Sequence, residues 1–139
     1  MAMQSTDTIL DDLYDAWRNQ DLDRFGSYLP ADFSHVILIP EDVHPLGGAR
    51  RGKRDTLDRL ACIIADYEFE HFDTSGLLAA KARAAVEVPL RYRHRQSGAR
   101  LETSLVNIWT FEAGWPVQLI EYHDVARIRS FMATLPASP

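Results

Sequence analysis

Cys62 is the only cysteine in this 139-residue chain. One thiol closes no disulfide within the chain, which fits a reducing compartment. Long apolar runs are missing too. None approaches the roughly 20 residues that a membrane helix needs. The start, MAMQSTDTILDD, has neither a basic run nor an apolar one, so no secretory leader is expected. Basic charge is in deficit, with 15 Lys and Arg against 20 Asp and Glu and a net charge of −5. Such a surface repels phosphate backbones, so nucleic acid is not an expected partner. The expectation is a soluble cytoplasmic protein, and the length is that of one domain with a core of its own, spanning residues 1–139. No internal repeat, linker or low-complexity run divides it.

What is present is periodicity, and it changes along the chain. Ile9, Leu10, Leu13, Tyr14 and Trp17 recur at helical spacing, and Asp7, Asp11, Asp12 and Asp15 supply the polar faces. Thr8 and Asp11 stand at capping-box spacing, and the helix stops near Asn19-Gln20. Asp21 caps a short second helix carrying Leu22, Phe25 and Leu29, which Pro30 ends. Residues 33–39 read as a strand and 40–52 as a long loop. Leu57, Leu60, Ala61 and Ile64 mark a third helix over about residues 54–67, with Cys62 beside the stripe as a small buried residue. The period then becomes two. Residues 69–78, 82–95, 101–112 and 117–122 read as four strands, with turns at Gln96-Ser97-Gly98-Ala99 and Ala113-Gly114-Trp115-Pro116. A last short helix is expected over residues 125–132. Helices gather early and strands late, which is an α+β pattern with an antiparallel sheet.

One motif in the loop misleads. Gly47 to Lys53, GGARRGK, matches most of a phosphate-binding loop. Such a loop needs Ser or Thr next, to hold magnesium, and a strand running straight into it. Arg54 stands there instead, and PEDVHPL separates the run from the preceding strand. Nucleotide binding is therefore not expected. The segment reads as a glycine-rich turn with basic residues in solvent, or with Arg50 or Arg51 meeting an anionic group at a cavity entrance.

Alternation sorts the strands into faces. Arg91, Arg93 and Arg95 share one parity, and burying three unpaired cations is very costly. They face out, to pair with Glu102 or a partner chain, while Leu90, Tyr92 and His94 face in. In the next strand Leu105, Asn107, Trp109 and Phe111 share one parity and Ser104, Val106, Ile108 and Thr110 the other. Alternation alone does not choose between them.

The segments ILDDLYDAWRNQDLDRF, ADFSHVILIP, GGARRGKRDTLDRL and VNIWTFEAGWPVQLIEYHDV, in this order and spacing, cover most of the chain. In that order the chain resembles the nuclear-transport-factor-2-like superfamily, in its SnoaL-like and ketosteroid-isomerase-like branch. The resemblance implies a cone-shaped barrel, a highly curved antiparallel sheet closed by about three N-terminal helices, around a pocket for a small apolar organic ligand. It implies a homodimer through the convex face, where Val106 and Ile108 would otherwise meet water, and no organic cofactor. It turns Leu105, Asn107, Trp109 and, in the last strand, Leu119, Glu121 and His123 inward. Asn107 falls where ketosteroid isomerase carries a protonated carboxyl donor, and an amide donates without a raised pKa. Glu121 falls where limonene-epoxide hydrolase places an acidic catalytic residue. Leu38 matches the general-base position on the first strand, and a leucine there supplies no base.

Two functions are open on these grounds. The first is an enzyme performing acid–base chemistry of the isomerase, cyclase, dehydratase or hydrolase type. Glu121 and His123 would be its acid–base couple, Asn107, with Tyr92 or Tyr14, would stabilise charge on a substrate oxygen, and His94 is a further base candidate. Tyr14, Trp17, Leu38, Leu90, Tyr92, Leu105, Trp109 and Leu119 would line the ligand site. The second is a non-catalytic binding or dimerisation module of the same fold. Asp124 has two readings, a member of the site or the cap of the last helix. His94, Glu121 and His123 have no recognised metal-ligand spacing, and no metal is expected.

Overall fold

A computed structural model describes residues 5–136. Helix α1 (Thr6–Arg18) buries Ile9, Leu10, Leu13, Tyr14 and Trp17, and its cap is Ser5, whose hydroxyl accepts the Thr8 N–H at 3.2 Å. The cap thus lies three residues before the expected Thr8. Helix α2 (Leu22–Gly26) starts on Asp21, whose Oδ1 accepts the Arg24 N–H at 3.0 Å. Strand β1 (Ser34–Leu38) follows.

The expected loop contains a strand, β2 (Gly48–Arg51), antiparallel to β1 with Ser34 opposite Arg51. Its glycines hid it. Gly48 at φ 90° enters it and Gly52 at φ 105° leaves it, a conformation that L side chains rarely adopt. Helix α3 (Lys53–Asp66) then presents Thr56, Arg59 and Leu60 to the interior. Of the expected stripe, Leu57, Leu60 and Ile64 pack against the core and Ala61 does not. Ala61 and Cys62 are exposed, because Arg59 turns inward and its Nη2 donates to the Gly48 carbonyl at 2.9 Å.

The strand expected over 69–78 is two, β3 (Tyr67–Phe72) and β4 (Ser75–Ala79), parted where the Asp73 carboxylate accepts the Thr74 N–H at 2.9 Å. Long strands β5 (Arg83–His94), β6 (Arg100–Glu112) and β7 (Trp115–His123) follow, then helix α4 (Val125–Met132). The β6–β7 turn places Ala113 at φ 50° and Gly114 at φ 83°, a two-residue hairpin with both centres left-handed.

The sheet runs β2–β1–β7–β6–β5–β3, with β4 also on β5. Every pair is antiparallel except β1 with β7, which is parallel. The sheet is antiparallel as expected apart from this one joint. Parallel neighbours need a long connection, and these two have most of the chain between them. The sheet curls without closing by hydrogen bonds, and α3 packs against both edge strands, β2 and β3. Inside the curl lie Ala84, Val86, Val88 and Leu90 of β5, Leu105, Trp109 and Phe111 of β6, and Leu119 of β7. The arginines face out, but Arg91 and Arg93 pair with Glu70 and Glu68 of β3 rather than with Glu102.

Candidate active site

The curl encloses a cavity of about 120 Å³ lined mainly by apolar and aromatic side chains. That is far more than one water needs and close to the size that takes a benzene-sized ring. Its polar lining comes from few residues. Tyr14, Asn107, Glu121 and His123 belong to one group, and His44, Tyr67, Tyr92 and Thr103 stand elsewhere on the wall.

Glu121 is the centre of charge. Its Oε2 lies 2.6 Å from Nε2 of His35 and its Oε1 3.0 Å from Nε2 of His123. Burial by itself pushes this carboxyl up. The hydrogen bonds from His123 and His35, with their charge, outweigh burial and hold it well below the usual carboxylate range. An ionised carboxylate only accepts, so each imidazole turns Nε2–H towards it. Nδ1 of His35 and Nδ1 of His123 are both buried without a protein partner. His35 is fully enclosed, whereas His123 lines the cavity.

Tyr14 lies beside this group. Asn107 and Glu121 are direct partners across β6 and β7, and Asn107 Nδ2 donates to the Tyr14 oxygen at 2.7 Å. Trp109 Nε1 donates to the same oxygen at 2.9 Å. Burial pushes the Tyr14 phenol far up despite these bonds, so it stays protonated. With its oxygen accepting twice, its own proton is left for another acceptor.

His44 and Trp17 meet the two other phenols of the lining. Trp17 Nε1 donates to the Tyr92 oxygen at 3.2 Å, and burial raises that phenol far above its ordinary range. His44 Nε2 lies 3.2 Å from the Tyr67 oxygen, and His44 Nδ1 accepts the Leu46 N–H at 3.0 Å. Burial and the Asp66 charge push the Tyr67 phenol up to about 12. Burial holds His44 below its ordinary value, against Asp66 and with His123 and His94.

A family profile described as the SnoaL-like domain matches residues 10–122. The chain belongs to that family. Comparison with curated proteins finds no match. Among solved structures, an NTF2-like protein of unknown function from Burkholderia pseudomallei is 18% identical over 95% of this chain and 100% of its own, with a TM-score of 0.84. A protein of ketosteroid-isomerase-like fold from Catenulispora acidiphila, in complex with trimethylamine, is 14% identical over 98% and 100%, with a TM-score of 0.75. An LEH-like epoxide hydrolase of M. tuberculosis is 16% identical over 91% and 87%, with a TM-score of 0.72. At these identities the likeness is one of fold.

Of the residues singled out in this SnoaL-like chain, Tyr14, Trp17, Leu90, Tyr92, Leu105, Asn107, Trp109, Leu119, Glu121 and His123 line one cavity. Three do not. Leu38 is 42% exposed, because β1 turns Ile37 and Ile39 inward and Leu38 to the convex face. His94 stands at the β5 end, where its Nδ1 lies 2.8 Å from Ser97 Oγ, outside the lining. Asp124 is exposed and its Oδ1 accepts the Arg127 N–H at 3.1 Å, so it caps α4. Neither Arg50 nor Arg51 lines the cavity, and Arg50 approaches Glu41 at 3.7 Å.

Sequence reasoning missed His35, His44 and Tyr67. The signal for His35 was its parity with Ile37 and Ile39, blurred because Val36 and Leu38 are equally apolar. Nothing in the run PEDVHPL marked His44. Among the described residues, no group of three His, Cys, Asp or Glu is placed to hold a metal ion, and no helix is long and apolar enough to cross a membrane.

Proposed function

We propose that this SnoaL-like chain is an enzyme that moves a proton on a small, largely apolar organic molecule, next to an oxygen function that Tyr14 polarises. The observation carrying it is the Glu121 carboxylate held between His35 and His123, in the cavity wall beside Tyr14.

The roles differ from a simple Glu–His acid–base couple. Both Glu121 oxygens are engaged and its affinity for a proton is low, so it is a poor acid. It serves as a positioning residue. It keeps the His123 proton on Nε2, which leaves the Nδ1 lone pair as the base. His123 takes a proton from the substrate carbon, and the charge that collects on the substrate oxygen is met by the Tyr14 hydroxyl. The imidazolium formed at His123 lies against the Glu121 carboxylate, which stabilises it. Returning the proton elsewhere gives an isomerisation, and protonating a leaving hydroxyl gives a dehydration. No organic cofactor enters the scheme.

Deuterium exchange tests the reading without the natural substrate. In D2O the protein should speed loss of the α-protons of cyclohexanone, followed by NMR. His123→Gln should lower the protein-dependent rate by about 10²-fold or more, and Tyr14→Phe by about 10²-fold. Exchange equal in the wild type and His123→Gln would remove the mechanism. Ketone binding with no exchange would leave a non-catalytic ligand-binding module.

The same reading includes a homodimer through the convex face. Val36, Ile120, Ile108, Ala85 and Leu78 form one row in register across five strands, with Leu38, Tyr122 and Val106 beside it. Leu38, Tyr122, Val106 and Leu78 are 42%, 48%, 39% and 75% exposed, an apolar band that a second copy would cover.

A further inference from the structure

We propose that the cavity takes a compact ring compound with oxygen acceptors at two separate points, one met by Tyr14 and the other by Tyr67 with Tyr92. The proposal rests on the reading of this cavity as a ligand site. It adds what that ligand must carry.

The argument is an inventory of protons. Tyr14, Tyr67 and Tyr92 all line the cavity, and all three are buried. Each phenol has one proton to give and an oxygen that accepts. Towards the protein each is held as an acceptor. The indole N–H of Trp109 and that of Trp17 can only donate, which settles Tyr14 and Tyr92. For Tyr67 the loop decides. The Leu46 N–H occupies Nδ1 of His44, so the neutral ring carries its proton on Nε2 and donates it to the phenol. Burial favours that neutral ring.

With the Asn107 amide turned so that Nδ2 meets Tyr14 and its Oδ1 stays unpartnered, three buried hydroxyl protons are left without a protein acceptor. A buried donor left unpaired is unfavourable, and native proteins rarely keep several. A ligand with acceptor oxygens satisfies them. The ring contacts also show how the three phenols follow one another. Phe72 packs against both Tyr14 and Tyr92, with ring centroids 6.1 Å from Tyr14 and 6.3 Å from Tyr92. Tyr92 in turn lies 6.1 Å from Tyr67. Ring contacts thus run from Tyr14 through Phe72 to Tyr92 and Tyr67, so Phe72 parts Tyr14 from the other two phenols. A single carbonyl serves one side only. Two oxygens across a small ring serve both.

Matched ketones test this. Cyclohexanone and 1,4-cyclohexanedione have nearly the same shape and differ in the second carbonyl. Titration of the whole protein by calorimetry or NMR should find the dione bound about tenfold tighter, after correction for its two equivalent carbonyls. In Tyr67→Phe the preference should fall below about threefold. Tyr92→Phe should shift the ratio the same way and serves if Tyr67→Phe fails to fold. Tyr14→Phe should weaken both ketones. Equal affinities in the wild type, or a preference that survives both Tyr67→Phe and Tyr92→Phe, would overturn the proposal while leaving the cavity a ligand site. Binding of neither ketone would defeat the proposal and the ligand-site reading together.

Discussion

Replacing Glu121 by glutamine changes almost no volume and removes one acceptor, so its effect can be worked out from two contacts. The carboxylate now accepts from His35 at 2.6 Å and from His123 at 3.0 Å, in a side chain 15% exposed. A glutamine keeps one acceptor oxygen for one imidazole. Its NH2 faces Nε2 of the other, which can accept only by moving its proton to Nδ1. One charge-assisted bond is lost, at about 1.5–3 kcal/mol, while the remaining one becomes neutral and weaker. Relief from desolvating a carboxylate offsets part of this. The net cost expected at pH 7 is about 2–3 kcal/mol, and for a chain of this length that is a fall of roughly 6–12 °C in Tm. The pH dependence separates this account from mere loss of packing. The folded carboxyl titrates below its unfolded value, so its contribution is fully present above the unfolded pKa of about 4.3 and is lost as pH falls towards the folded value. Thermal unfolding by circular dichroism between pH 7 and pH 3 should show a wild-type lead that persists down to about pH 4.5 and shrinks below it. A lead that stays constant to pH 3, or a variant as stable as the wild type at pH 7, would refute the idea that His35 and His123 hold this carboxylate ionised.

Two further outcomes follow from surface positions. Val106→Glu, alone or with Tyr122→Glu, places charge on the apolar convex band and should turn a homodimer into a monomer in sedimentation velocity, with the cavity unchanged; a monomeric wild type at micromolar concentration would contradict the dimer. Asp124→Ala removes the α4 cap and should cost about 1 kcal/mol while leaving ketone deuterium exchange within twofold of wild type, and a large fall in exchange with the fold intact would return Asp124 to the chemistry.

The frame of the fold was legible because alternation and helical spacing are local properties. Tyr92, Trp109 and Leu119 could be turned inward from parity once a frame was assumed, and Asp21 and Asp124 announced their helices as caps. What stayed hidden depended on contacts that spacing does not carry. The strand β2, Gly48-Ala49-Arg50-Arg51, has no β-branched or aromatic residue to announce it, and exists because β1 offers it an edge. Cys62 was misplaced because Arg59, a cation, took the inward position on α3. Leu38 was misplaced because β1 is apolar on both faces, so its pattern contains no information on which face meets the cavity.

That ambiguity bears directly on the chemistry, because the parallel joint between β1 and β7 decides it. The joint sets His35 beside Leu119 and Ile37 beside Glu121, so His35 reaches Glu121 on the diagonal of one inward face. A slip of β1 by one residue would turn Ser34, Val36 and Leu38 inward, a set hardly less apolar than Ile37 and Ile39, yet His35 would leave the cone and the carboxylate would lose one of its two donors. Apolar burial alone therefore selects this register weakly, and the His35–Glu121 contact adds the discrimination that the β1 sequence lacks. The two residues are 86 positions apart, so this specificity arises only when the first and last parts of the sheet meet. The contact that orients the base is thus also the one that tells β1 which way to face.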